Sequence, residues 1–216
     1  MTWNTTRNVA GLFACLILAA GVNLMTGCRV HVDKGANGED KDVQVDIPFG
    51  GIHVNTNQTT AADLGLPVYP GAQLVKDKDN DKSADIHMGF GEWELRVKVV
   101  NYTTPDSEDK VVAFYKKELG RFGDVITCQN NAPVGTPAAT TEGLTCSDSG
   151  HGSVQIDDHG ENYGYHPGKG GFELKAGSKR HQHILGFESS ESGETHFALV
   201  AVDLPAQMAG DSDKSD

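Results

Sequence analysis

Beyond its first 24 residues, this 216-residue chain has no long apolar run. The one it has, Val9 to Leu24, is about 16 residues long, short of the roughly 20 that cross a bilayer as a helix. Positive charge is also scarce: 18 Lys and Arg stand against 30 Asp and Glu, a formal charge of −12. Such a chain repels nucleic-acid phosphates, which excludes nucleic acid as a partner. The most basic stretch, Lys169, Lys175, Lys179 and Arg180, is interrupted by Glu173. Catalytic signatures are missing too. There is no Gly-x-Ser-x-Gly elbow and no His-Glu-x-x-His. Ser149, His151, Ser153 and Asp157 lie close in sequence, but a triad is defined by geometry. A hydrolase therefore remains a reading without a motif. Cysteine is limited to four residues, Cys15, Cys28, Cys128 and Cys146.

What is present begins at the N-terminus. Arg7 followed by the apolar stretch reads as a secretory signal over residues 1–27. Its end, Leu24-Met25-Thr26-Gly27-Cys28, resembles the lipobox of bacterial lipoproteins, with Met25 where that family usually has Leu. The resemblance implies cleavage before Cys28 and attachment of lipid to it. It implies an extracytoplasmic, membrane-anchored protein of the cell envelope, facing the periplasm where two membranes exist. In that family an Asp after the cysteine retains the protein at the inner membrane; Arg29 stands here, which leans toward the outer membrane.

With Cys15 removed and Cys28 lipidated, Cys128 and Cys146 are left in an oxidising compartment. A disulfide between them is expected, contributing on the order of 3 kcal/mol. The alternative, a two-thiol metal or redox site, lacks a C-x-x-C and any intervening His.

Residues 28–42 read as the lipidated cysteine and a flexible polar tether. Residues 43–63 read as a hairpin and linker, because Val43, Val45 and Ile47 alternate with polar residues, as do Ile52 and Val54 after Gly50-Gly51. An α+β domain is expected over 64–205 and a disordered acidic tail over 206–216. Trp93, Leu95, Val97 and Val99 alternate with Glu92, Glu94, Arg96 and Lys98, which predicts a strand ending in a bulge near Val100 and Tyr102. A helix is expected from Thr104 as cap and Pro105 as first residue to a stop at Gly120. Val111, Phe114, Tyr115 and Leu119 form its apolar face. Short strands are expected at 124–128, 144–147, 153–157, 172–175, 181–187 and 195–203. The fold class is α+β: an antiparallel sheet with one helix packed on one face, preceded by a short hairpin and a signal peptide. The helix is expected on the face of Trp93, Leu95, Val97 and Val99.

The segment Leu66-Pro67-Val68-Tyr69-Pro70-Gly71-Ala72, paired with the later Val111-Val112-Ala113-Phe114-Tyr115-Lys116-Lys117-Glu118-Leu119, resembles an arrangement recurring in uncharacterised bacterial envelope proteins. It covers about residues 64–128 and implies no activity.

Three sets of residues offer site chemistry. Asp77, Asp79, Asp81 and Asp85 alternate like the start of a calcium loop, but Lys82 replaces the turn glycine and Met88 the bidentate glutamate. His181 and His183 share one face of an expected strand, a spacing used for zinc or copper, with His159 and Asp157 as further ligands. Tyr163, Tyr165 and His166, set among glycines, offer a stacking surface for a ligand or glycan. The composition as a whole reads as a non-enzymatic binding or interaction module contacting another envelope component, with a metal-binding lipoprotein as the alternative.

Overall fold

The computed structural model describes residues 29–34, 40–56, 58–75, 83–148, 153–155, 162–164, 171–188 and 193–209. Its strands are β1 (Arg29–Lys34), β2 (Asp40–Ile47), β3 (Gly50–Thr56), β4 (Gln73–Leu74), β5 (Ser83–Phe90), β6 (Trp93–Thr104), β7 (Val125–Gln129), β8 (Ala132–Pro133), β9 (Ser153–Gln155), β10 (Asn162–Gly164), β11 (Phe172–Gly177), β12 (His181–Glu188) and β13 (Thr195–Asp203). The α-helix among them is α1 (Glu108–Leu119). Eleven strands make one antiparallel sheet in the order β1-β2-β3-β5-β6-β13-β12-β11-β7-β8, with β4 pairing β6, and β9 and β10 pair separately. The fold is thus α+β and mainly β.

Turn chemistry sets the local pairing. β5 and β6 join through Gly91-Glu92, a two-residue loop opened by Gly91 at φ +62°, the region that primed hairpin turns need. β7 and β8 join through Asn130-Asn131, both at positive φ. β2 and β3 join through Pro48-Phe49, where Gly50 is required for a different reason. A Cβ there would run into the Gly89 carbonyl of β5.

Residues 43–63 do not stand ahead of the domain. β3 pairs along its whole length with β5, so the pair β2–β3 is part of the main sheet. Residues 29–34, read as tether, form β1 and pair β2 from Arg29↔Asp46 to Lys34↔Asp40. Val30 and Val32 supply the alternation that permits this. In the expected tail, Ala209 is buried and Met208 exposed.

β6 runs unbroken to Thr104, with no bulge at Val100: its register to β13 is continuous from Arg96↔Asp203 to Thr104↔Thr195. What changes at Val100 is the chemistry of the even-numbered positions, polar through Lys98 and apolar at Val100 and Tyr102. The helix lies on that even face. Val111, Tyr115 and Leu119 pack with Val100, Tyr102, Leu174, Leu185, Phe187, Phe197 and Leu199. Leu95, Val97 and Val99 pack instead on the opposite face with Ile184, Ala198, Val200 and Val202. The expected helix face is therefore corrected. Odd-numbered alternation marked a buried face, but the sheet is buried on both sides at its centre, and the helix needs only the last third of β6.

The helix bounds also shift. Ser107 is the N-cap, while Thr104 closes β6 and its hydroxyl accepts from the Asp106 N–H at 3.3 Å. Gly120 sits at φ −56° and continues into a 3₁₀ turn through Phe122; Gly123, at φ +119°, ends it. In place of the strand expected at 144–147, Thr145 makes one isolated bridge, to Ala139, and Gly143 just before the segment makes another, to Ser178. Side chains there take the backbone groups a ladder would use. Thr140 accepts from the Leu144 N–H at 3.0 Å, and Asp148 accepts from the Thr145 N–H at 2.7 Å.

Tyr115 shows why the segment 66–72 and the helix belong together. Its hydroxyl accepts from the Tyr69 N–H at 3.1 Å and donates to the Pro67 carbonyl at 3.0 Å. Tyr69 in turn meets Phe114 edge to face at 5.3 Å and donates to Asp106 at 2.9 Å.

Candidate functional site

Cross-strand partners point to the same face of a sheet. Following the register across seven strands gives one row: His31 on β1, Gln44 on β2, His53 on β3, His87 on β5, Arg96 on β6, Asp203 on β13 and His181 on β12. The neighbouring row reads Asp33, Asp42, Asn55, Asp85, Lys98, Ala201 and His183. This is the helix-bearing face, beyond the helix; the 3₁₀ turns 61–64 and 120–122 reach it at Lys98 and His183, while His31, Gln44 and His53 lie on the strands toward its β1 edge. His31, His53 and His181 are exposed, and His87 is half-buried.

Each of four imidazoles in the row is held by its own carboxylate. His53 Nε2 lies 2.9 Å from Asp42, His87 Nε2 2.9 Å from Glu94, His181 Nδ1 2.7 Å from Asp203, and His31 Nε2 3.4 Å from Asp33. Arg96 completes the row with a two-pronged bond to Asp85, at 3.0 and 2.6 Å, which holds its guanidinium protonated. Lys98 donates to the Asp63 carbonyl at 2.9 Å, tying the 3₁₀ turn 61–64 to this face. Asp63 is itself kept below the usual carboxylate range by the Thr60 hydroxyl and N–H.

The expected sites fare differently. His181 and His183 do share a face, but they do not form a ligand pair. His183 is stacked on Phe122 at 3.6 Å with the rings 10° apart, bonds the Leu64 backbone, and burial lowers its pKa. Its role is in the core. His159 and Asp157 lie outside the described residues. Among the described residues, no group of three His, Cys, Asp or Glu side chains is placed to hold a metal ion. Asp85 of the expected calcium loop spends both oxygens on Arg96. Asp77, Asp79 and Asp81 lie outside the described residues. Of the aromatic loop, Tyr163 falls on β10, and Tyr165 and His166 lie outside the described residues. Cys28 also lies outside them. Ser149, His151 and Asp157 do too, and Ser153 falls on β9.

Cys128 and Cys146 are bonded, with their Cα atoms 5.6 Å apart. The bridge fastens the loop 139–148 over the odd face, where Ile126 and Leu144 pack with it. Beside it Lys175 is 1% exposed. Its ammonium lies 3.2 Å from Glu173 and donates to the carbonyls of Cys146 and Asp148 at 3.3 and 3.2 Å.

The histidine row is what sequence reading missed. His31, His53 and His87 are far apart in the chain, and each carries only a local signal, a polar position between apolar neighbours. Chemically, the arrangement is a broad exposed surface of paired acids and bases, not a convergent centre with a nucleophile or an ion cage. No helix among the described residues is long and apolar enough to cross a membrane. No protein-family model matches the chain, and neither the curated proteins nor the solved structures gave a significant match, so the reading of this surface rests on its own chemistry.

Proposed function

We propose that this chain is a lipid-anchored protein of the bacterial envelope, attached through Cys28, and that its α+β domain is a non-enzymatic binding module. The binding surface is the polar face that carries His31, Gln44, His53, His87 and Arg96. The observation that carries this reading is the row itself: imidazoles and carboxylates paired one to one on an open face. Such pairs orient the rings and present polar groups on an open face for contact with a partner. The Cys128–Cys146 bond supports an oxidising compartment. Arg29 directly after Cys28 favours the outer membrane over the inner.

A photo-cross-linking residue at Gln44, between His31 and His53 in the row, tests the module in intact envelopes. A discrete adduct, lost when His53 and His87 are replaced by Ala, is expected. No discrete adduct from any position of the row overturns the reading. The anchor is tested separately: Cys28→Ser moves the protein from the membrane to the soluble fraction, and an unchanged membrane fraction sinks it.

A further inference from the structure

Cys28 directly precedes β1 in the sequence. β1 begins at Arg29, which pairs with Asp46, so this end of β1 lies at the end of the sheet that carries the Pro48-Phe49 turn. The Gly91-Glu92 turn is at the same end of the sheet, because Gly50 pairs with Phe90 and the Gly91 N–H donates to the Phe49 carbonyl at 3.0 Å. This rim is apolar and uncovered. Phe49 is 86% exposed, Phe90 40% and Ile47 37%, and Phe90 lies 5.8 Å from the half-buried Trp93. Val30, 64% exposed, adds to it from the edge strand.

Large aromatic side chains at a turn tip do nothing for the fold when they stand in water, and contiguous exposed apolar patches mark interaction surfaces. The geometry points to a lipid bilayer as the occupant. The rim is the end of the sheet from which the proposed anchor emerges, so anchoring at Cys28 would hold these side chains at the membrane surface. Aromatic rings suit that interface, with an apolar body and tolerance of nearby water. Asp46, Glu92 and Glu94 border the rim and outnumber Arg29, which pairs with Asp46, so a zwitterionic surface is favoured over an anionic one. Phe49 and Phe90 enter the bilayer boundary, and the domain is seated against the membrane instead of swinging from its lipid.

The inference rests on the proposed anchor, and Trp93 allows the two to be separated. Trp3 and Trp93 are the two tryptophans of the chain, and a chain beginning at Cys28 keeps Trp93. The membrane-derived protein is reconstituted in phosphatidylcholine vesicles containing brominated lipid, and its acylation is read by intact mass. Trp93 fluorescence is expected to be quenched, and Phe49→Asp is expected to remove most of that quenching without loss of acyl chains. A tryptophan placed instead at Leu74, in a Trp93→Phe background, is expected to stay bright. Leu74 pairs with Tyr102 at the far end of β6, about 30 Å from position 93 at the rise of a strand. Acylated protein whose Trp93 is unquenched, or is quenched no more than the tryptophan at 74, overturns the rim alone. Absence of acyl chains on Cys28 overturns the anchor and the rim with it.

Discussion

His53 and His87 face each other directly across β3 and β5, yet each turns to a carboxylate on its other flank: His53 to Asp42 of β2 and His87 to Glu94 of β6, both at 2.9 Å. The pairing leaves the rings fixed in direction on an open surface.

Because these pairs are largely in solvent, they add little to stability. Replacing His31, His53 and His87 together by Gln is expected to change unfolding free energy by no more than about 1 kcal/mol. It is expected to abolish the cross-link formed from position 44. Urea unfolding measures the first and the envelope cross-link the second. A large loss of stability would reassign the row to the architecture.

The buried pair Lys175–Glu173 behaves in the opposite way. Lys175→Met leaves Glu173, 5% exposed, without its cation and two loop carbonyls without their donor. Breaking one side of a buried pair costs about 3–5 kcal/mol. Adding Glu173→Leu should recover much of that loss, since both charges then leave the interior. If the double variant unfolds as easily as the single one in urea, the cost lies in the loop contacts and not in the stranded carboxylate.

His183 makes stability depend on pH. Burial holds its folded pKa below the ordinary 6.5, with Asp203 opposing and the neighbouring His181 adding to the shift. The unfolded chain therefore takes up a proton there first. The contribution of His183 is complete above about pH 6.5 and is lost as pH falls from there through the folded value. Glu188, raised by burial, acts with the opposite sign at lower pH, because its folded form holds a proton the unfolded chain has shed. His183→Phe keeps a ring against Phe122 and cannot titrate. The stability difference between wild type and this variant should move in the variant's favour on acidification from pH 7.5 to 5.5. A difference independent of pH would show that the buried ring does not couple to protonation.

Tyr115 joins helix to loop through one oxygen. Its burial pushes the phenol well above its ordinary range, consistent with a neutral hydroxyl used as both donor and acceptor. Tyr115→Phe keeps the ring and strands the Tyr69 N–H and the Pro67 carbonyl. The expected cost is about 1–3 kcal/mol, measured by thermal or urea unfolding. A neutral substitution would mean that water replaces the hydroxyl.

How much of this was legible in the sequence depends on how local each feature is. Alternation marked β2, β3 and the first two thirds of β6, and capping chemistry separated α1 from a strand although Val111-Val112-Ala113-Phe114-Tyr115 alone fits either. Cys128 and Cys146 are the pair left once Cys15 is assigned to the expected signal and Cys28 to the expected lipid, and they are bonded. Of the calcium and zinc or copper readings, the described residues hold only Asp85, His181 and His183, and these do not converge: Asp85 bonds Arg96, His181 bonds Asp203 and His183 stacks on Phe122.

By itself, the sequence determined the class of fold, the helix and the polar or apolar phase of β2, β3 and β6, because these follow from neighbours within a few residues; the disulfide partners followed from the count of cysteines. Only the tertiary structure decided which face the helix covers, since both faces of β6 are apolar somewhere and the choice depends on Phe197, Leu185 and Leu174 from later strands. It alone made Val30 part of the sheet and brought Phe49 beside Phe90. It alone set His31, His53, His87 and His181 in one row, because pairings such as β3 with β5 and β6 with β13 join segments whose order in space no local pattern encodes.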